Sequence, residues 1–561
     1  MRMKTRCTRP FWENNMIEAN SKIEKLKEII RDRGLVTRDK QKIIGPRGEE
    51  LDWLFDLRNI FLKPDSLNLV VDIFWEKFEK EYPFQIGGQE IAAIPLVSAI
   101  VLRSRQIGKP VNGFIIRKSR KSTGLQKIIE GEMKEGKIIL VDDLINSGRT
   151  VLRQTKVIES FGKKVHSVFA LIDFRTEKIP ELFRKKSIEF VSLFSPGDFG
   201  LSPGKTESPS ENFEIAWNFQ APEPSYFWVM PKSAPRLDGE KIYFGSDNGT
   251  FWALNQTDGS VAWTFRTGYG VRGKTIFSSP TICGNAVYFG SYDGNVYALE
   301  KETGKLIWKN GDADWVGSSP AVAPDLDLLF IGLEFGLFRK KGGIAAFDLE
   351  TGKKIWDFRM AEYVHCSPAY CPEKKVVAIG GNDHCAYMFK AKNGKLLWKY
   401  KTGGEIKASF AFDAERNLVL FGSFDNSLYA LDIDTGELKG KFETKDYIYS
   451  TPLVREKDVF FASTDKNLYC ANLDTGKLNW QFVAGGRIFA SPEIVGEKIL
   501  FGATDGRLYE IDINNGKCVS FFQAAERITN KISFNSATKK YFLSTYANEI
   551  FCLEKRGCRH T

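Results

Sequence analysis

The sequence predicts a multidomain protein, an α/β domain followed by an all-β, eight-bladed propeller. Three observations carry that expectation. Residues 1–194 alternate helical and strand-length apolar periods, the pattern of a largely parallel sheet covered by helices. Residues 195–212, SPGDFGLSPGKTESPSEN, are rich in Ser, Pro and Gly and read as a linker. Across residues 213–561 short aromatic-rich strands recur every 40 to 48 residues, the length of a four-stranded blade.

In the first region, SKIEKLKEIIRDR (21–33) reads as an amphipathic helix with Ile23, Leu26, Ile29 and Ile30 on one face. A strand is expected around Trp53 to Arg58 and a helix from Ser66 to Tyr82. GGQEIAAIPLVSAIVLRSRQIG gives a Gly-led loop and a further apolar helix, and NGFIIRK gives a strand ending in Arg117 and Lys118.

The stretch KIILVDDLINSGRT (137–150) anchors the functional reading. A short apolar strand ends in two carboxylates, Asp142 and Asp143. The tight polar turn Asn146-Ser147-Gly148-Arg149-Thr150 follows, and then a helical pattern burying Val151, Val157, Ile158 and Phe161. Free N–H groups in a helix's first turn and the positive end of its dipole favour an anion there. No Gly-Lys-Ser/Thr closes the turn, so it is not a P-loop. Adjacent acids suit neighbouring hydroxyls, and acids plus turn read as a site for ribose 5-phosphate.

VDDLINSGRT resembles the phosphoribosyl-diphosphate (PRPP) signature of type I phosphoribosyltransferases, and the run from Ser21 to about Asp173 is similar to orotate phosphoribosyltransferase. The family's early Asp-Leu-Arg appears as Asp56-Leu57-Arg58. Its diphosphate loop falls on GGQEIAAIPL, which places Glu90, Ile91 and Ala92 at the diphosphate. Its mobile basic loop appears as Arg117, Lys118, Lys121 and Gly124. The resemblance implies the type I phosphoribosyltransferase fold and transfer of ribose 5-phosphate between PRPP and a small-molecule acceptor, with Mg²⁺ held through the diphosphate. Asp142, Asp143, Asn146, Ser147, Gly148, Arg149 and Thr150 would bind PRPP. Arg117, Lys118, Lys121 and Asp143 would be catalytic, because cations placed where diphosphate charge develops are the main lever for such a departure. Pairing of first domains as a homodimer is also implied.

Three departures weaken an assignment to orotate. Ala92 stands where the family often has lysine, Thr123 where it has histidine, and Asp173-Phe174-Arg175 where it has Arg directly after Asp. The acceptor therefore stays open, and so does a non-catalytic sensor of PRPP or a nucleotide that signals through the propeller.

In the repeats, a turn glycine recurs at Gly259, Gly304, Gly352, Gly394, Gly436, Gly476 and Gly516. Matching tryptophans stand at Trp263, Trp308, Trp356, Trp398 and Trp480, with Gly440 and Ser520 breaking the series. The eighth unit stops before its outer strand, and FEIAWNFQA (213–221) is expected to supply it and so close the ring. The repeats resemble quinoprotein-like (PQQ-repeat) propellers. The adjacent cysteine pair of quinone-dependent dehydrogenases is absent, so PQQ is not expected and the propeller reads as a ligand-sensing or protein-binding module. Ahead of each first strand, Trp228, Thr275, Trp315, Tyr363, Glu405, Tyr447, Arg487 and Arg527 are expected to ring one channel mouth, gripping a ligand or plugging the bore.

Net charge is +10 from 80 basic and 70 acidic residues, a mild excess that requires no nucleic-acid partner. No apolar run reaches the roughly 18 residues of a membrane span. Nine scattered cysteines suggest reduced thiols and a cytoplasmic location. His365-Cys366, Cys371 and His384-Cys385 match no standard zinc spacing, and no protein-bound metal is expected.

Overall fold

The computed structural model describes residues 21–38, 43–44, 50–90, 93–117, 128–145, 148–174, 187–201, 212–222, 232–268, 275–336, 341–524 and 526–556. Residues 44, 50, 51 and 149 are described by backbone alone. The chain divides into two compact units, Met1–Ser208 and Pro209–Thr561.

The first unit is built on a six-stranded sheet. Its strands are β1 (Phe84–Gln89), β2 (Asn112–Ile116), β3 (Ile129–Gly131), β4 (Lys137–Ile145), β5 (Val165–Asp173) and β6 (Glu189–Phe194). They lie in the order β6-β5-β4-β1-β2-β3, all parallel except the antiparallel pair β2 and β3. Its longest helices are α1 (Pro64–Phe78), α2 (Ala93–Gln106) and α3 (Arg149–Glu159). Pro64 starts α1 from an extended Lys63, a position where the missing N–H is no loss. The α1 side chains Val70, Val71, Phe74 and Phe78 and the α2 side chains Ala93, Leu96, Val97 and Ile100 share one core with Ile86, Ile139, Val141 and Phe169.

Two local expectations change. The glycines expected in a loop, Gly87 and Gly88, lie inside β1. A Cβ on Gly88 would collide with Ala93 and with the Val141 carbonyl oxygen, so glycine there lets β1, β4 and the start of α2 approach closely. Phe161 lies beyond the end of α3 and is 51% exposed, while Leu152 and Thr155 join Val151, Val157 and Ile158 on the buried side. The expected linker is also structured at its start. Residues Pro196–Phe199 form a 3₁₀ turn held by a Ser195–Asp198 capping box, and Phe199 packs on Phe55 and Phe194.

The second unit contains, among the described residues, eight four-stranded antiparallel sheets. We number the blades 1 to 8 from the sheet that begins at Arg236. In blade 8 the outermost strand is Phe213–Gln220, paired antiparallel with Glu549–Lys555, so the two ends of the repeat array close the ring. The seven turn glycines all have φ between 65° and 75°, a conformation only glycine adopts freely.

The repeat tryptophans join neighbouring blades. The indole Nε1 of each donates to a backbone carbonyl of the next blade: Trp217 to Gln256, Trp263 to Lys301, Trp308 to Leu349, Trp356 to Ala391, Trp398 to Ile433 and Trp480 to Ile513, all at 2.7–3.0 Å. Each ring also covers the next blade's turn glycine so tightly that a Cβ there would overlap the indole. The two positions lacking tryptophan are handled differently. Between blades 7 and 8, buried Ser520 and Glu510 receive Lys555, whose Nζ lies 3.1 Å from the Ser520 hydroxyl, pairs with Glu510 and sits 3.9 Å from the Phe213 ring centroid. Between blades 5 and 6, nothing lies within 4 Å of a Cβ built on Gly476, and Gly440 supplies no side chain.

Candidate functional site

Parallel pairing assembles the first candidate site. Gly87 of β1 lies opposite Leu140 of β4, so Gln89 and Glu90 leave the sheet at the same edge as Asp142 and Asp143. Ile116 pairs with Gln89, which brings Arg117 alongside, and Ile145 pairs with Asp173. Ligands of parallel sheets bind beyond this carboxyl edge.

The charged groups there are held in place. Arg117 Nη1 lies 3.7 Å from Glu90 Oε2 and 3.5 Å from Glu130 Oε1. Asp142 is buried, and its Oδ1 accepts the Asp143 N–H at 3.0 Å, while Asp143 Oδ1 accepts the Leu144 N–H at 2.9 Å. Gly148, with φ 75°, caps α3, and its carbonyl accepts the Leu152 N–H at 3.0 Å. α3 begins at Arg149, shortly after β4 ends at Ile145, with Thr150 exposed in its first turn. That end of α3 carries unsatisfied N–H groups and the positive pole of the helix. Arg153 Nη1 donates to Gln89 Oε1 at 3.1 Å and ties α3 to β1.

The structure thus gathers Glu90, Arg117, Asp142, Asp143, Gly148 and Thr150 at one edge. Ile91, Ala92, Lys118, Lys121, Asn146, Ser147 and the Arg149 side chain lie outside the described residues. Two neighbours extend the set. Arg58 is 2.9 Å from Asp56. Its hydrogen bond to Asp56, and more weakly the charge of Asp143, raise its already high pKa. Phe174 stacks on Trp53 at 5.8 Å between centroids and meets Phe55 edge-on at 5.7 Å. The aromatic residue after Asp173, where the resemblance implies arginine, was the available signal for this cluster.

The second candidate is the propeller channel, a cavity of about 170 Å³. Among the described residues, none of those expected to ring its mouth lines it. Trp315 is buried against Phe277 and Tyr292. Tyr447 stacks on Phe424 at 4.4 Å, Arg487 faces Asp446 at 3.9 Å, and Arg527 lies 5.3 Å from the Tyr546 ring. Thr275 Oγ1 donates to the Asp247 carbonyl. Tyr363 and Glu405 line a separate depression beside His384 and Lys401. Trp228 lies outside the described residues, and the spacing of the other blades falls on Met230 instead.

The channel is lined instead by the row two residues further on, which includes Lys232, Phe277, His365, Lys407, Tyr449 and Phe489. The alternation of an extended chain keeps positions i and i+2 on one side, so the pattern located the correct side one step too early. Lys232 is buried and pairs with Asp247 at 2.6 Å. Burial pushes its pKa down and Asp247 opposes that shift. His365 Nδ1 lies 3.4 Å from the buried Glu334 Oε1, and neither atom has a hydrogen-bond partner among the described residues. Cys366 acts as Ser278 and Ser318 do in blades 2 and 3. Its Sγ accepts the Gly380 N–H at 3.3 Å, where those hydroxyls accept Gly290 and Gly332. Among the described residues, no group of three or more His, Cys, Asp or Glu side chains is placed to hold a metal ion, and no helix is long and apolar enough to cross a membrane.

Comparison with known proteins separates the two units. Residues 338–561 match the family model described as the beta-propeller of beta-alanine-activating enzyme, and residues 214–322 match that of outer membrane protein assembly factor BamB. Among solved structures, quinohemoprotein alcohol dehydrogenase ADHIIG from Pseudomonas putida HK5 is similar at 14% identity and a TM-score of 0.53, covering 64% of this chain and 78% of that one. At that identity the likeness concerns the propeller fold alone. Orotate phosphoribosyltransferase of Methanosphaera stadtmanae is 31% identical over 153 residues, 27% of this chain and 83% of that protein. The Pyrococcus abyssi enzyme is 30% identical over 185 residues, 32% of this chain and 97% of that protein. Through its first domain, the chain belongs to the orotate phosphoribosyltransferase family.

Proposed function

We propose that the first domain is a PRPP-dependent phosphoribosyltransferase and that the propeller serves it as a ligand-sensing or protein-binding module. The observation that carries this reading is the acid pair Asp142-Asp143 near the carboxyl end of β4, which stops at Ile145 shortly before the Gly148-capped start of α3. The helix N-terminus suits the 5-phosphate and the carboxylates suit the ribose hydroxyls. Glu90 and Arg117, on the next two strands, lie on the side where the diphosphate would rest. Lys118 and Lys121 would add cations as the C1–diphosphate bond breaks. Mg²⁺ would be held through the diphosphate rather than by a protein carboxylate cage, and would supply neutralisation of the charge that develops there.

The acceptor side favours a planar ring. Trp53 and Phe174, both partly exposed, pack together over the buried Phe55, and Phe174 occupies the position where the family resemblance implies an arginine. Stacking is therefore available, while a cation for an acidic base is displaced by one residue to Arg175. We expect a neutral nucleobase to be accepted in preference to orotate.

The test is diphosphate release from PRPP with Mg²⁺ and a panel of nucleobases. Wild-type turnover with at least one base is expected, with Asp143→Asn and Lys121→Ala each losing 100-fold or more. PRPP binding with no turnover on any base would replace the enzyme by a sensor, the reading that Phe174 favours. Absence of PRPP binding would end both.

A further inference from the structure

We propose that the propeller channel is a binding site for one small oxyanion, of the phosphate or carboxylate kind, held by hydroxyl groups. The inference rests on the ligand-sensing role proposed for the propeller and names the class of its ligand. Blades 2 to 7 carry a hydroxyl at one position, two residues ahead of the first strand. These are Ser279, Ser319, Ser367, Ser409, Thr451 and Ser491, and all of them line the cavity. Four of them join neighbouring blades in the same way. Ser279 Oγ accepts the Ala234 N–H, Ser319 Oγ that of Ser279, Ser367 Oγ that of Ser319 and Ser491 Oγ that of Thr451, each at 2.9 Å. Each bond uses a lone pair on the hydroxyl oxygen and leaves its proton free to donate. Among the described residues, none of these four hydroxyls donates a hydrogen bond.

Two further donors reach the same space. Thr529 lines the cavity and is 3% exposed, and its Oγ1 has no hydrogen-bond partner among the described residues. Tyr449 lines it too, with its ring packed on Phe424 and Phe489. Burial raises its pKa, so the phenol keeps its proton. A buried hydroxyl without a partner is costly, and a ligand that accepts hydrogen bonds removes that cost. Charge is not the selector. The lysines at the wall are already matched, Lys232 by Asp247, Lys407 by Glu405 and Lys531 by Glu493, and buried Glu334 faces His365 at 3.4 Å. None of these carboxylates lines the cavity. What selects is the surplus of protons over free lone pairs. The oxygens of an oxyanion only accept, whereas a sugar or polyol would bring protons of its own to serine oxygens that already hold an N–H. Size sets the rest. The cavity of about 170 Å³ is little larger than the roughly 150 Å³ that holds benzene, so a ligand of a few heavy atoms fits.

The experiment is calorimetric titration of the full chain, in magnesium-free buffer, with inorganic phosphate and separately with acetate. We expect saturable binding of at least one of the two ions, and a higher melting temperature of the propeller at saturation. Thr529→Val and Tyr449→Phe each remove one donor with little change of shape, and each should weaken that binding about 10-fold. Ser409→Ala, which breaks no hydrogen bond among the described residues, keeps the test readable if either of those misfolds. Equal affinity in wild type and every folded variant would place the ion elsewhere, the start of α3 included, and overturn the proposal. So would no saturable binding of either ion at millimolar concentration, or displacement of the bound ion by equimolar glycerol. The transferase reading is decided separately, by PRPP turnover.

Discussion

Gly352 and Gly476 hold equivalent places in two blades, with φ 68° and 65°, yet they face different surroundings. An alanine at either is strained by about 1–2 kcal/mol, because an L side chain disfavours that backbone region. At Gly352 the new methyl also meets the Trp308 ring, whereas at Gly476 it meets open space. Denaturant melts should show G352A destabilised by at least 1–2 kcal/mol more than G476A. Cysteines give a second contrast. Burial pushes the thiols of Cys366 and Cys552 up to about 12 and that of Cys470 to about 11. Cys283 and Cys518 are only partly buried. Alkylation of the native protein at mild alkaline pH should mark Cys283 and Cys518 and spare the other three. The sequence could name the turn glycines, since a hairpin turn needs positive φ. It could not show what each glycine faces, because that neighbour is a ring some forty residues away in the preceding blade.

At the level of elements, the tryptophan contacts join blades that are otherwise separate sheets. Trp308 is 8% exposed and hydrogen-bonded to Leu349, so Trp308→Ala should cost about 3–5 kcal/mol. At the closing junction, Lys555→Met would leave Glu510 buried without its cation. We expect a loss of about 3–5 kcal/mol, with E510M/K555M recovering much of it, measured as a double-mutant cycle. Alkaline pH should loosen the blades as well. Burial, and then the Asp505 carboxylate, raise Tyr509 to about 12, and burial raises Tyr288 to about 12. A group whose folded pKa lies above its unfolded value near 10 keeps its full stabilising effect below pH 10 and loses it as pH rises through 12. The melting temperature should therefore fall across pH 10–12. The helices and strands of the first domain were legible because each shows its apolar face at a clear period. The length of α3 was not, since Phe161 continues the apolar pattern after the helix has ended at Glu159.

For the whole molecule, the closing strand was legible because the eighth repeat lacked its outer strand and residues 213–221 had the repeat's Trp-containing pattern. The extent of the linker was not, because Pro and Gly mark turns as readily as they mark unstructured chain, and Phe199 is anchored by Phe55, far away in sequence. The charged edge of the first domain's sheet was legible as a motif. The aromatic cluster beside it was not, because Trp53 and Phe174 meet only after the chain has folded. A propeller begun at residue 222 lacks the strand Phe213–Gln220 and should aggregate or melt well below one begun at residue 209, by light scattering and calorimetry. The pairing of Phe213–Gln220 with Glu549–Lys555 also sets a timetable for synthesis. A ribosome adding roughly 5–20 residues per second releases the first of these strands tens of seconds before it makes the second. Throughout that wait Phe213 and Ile215 lack the Tyr541 and Leu553 side chains of the core they share, so nascent chains should be held by chaperones until translation ends, and two chains finishing together could exchange this strand.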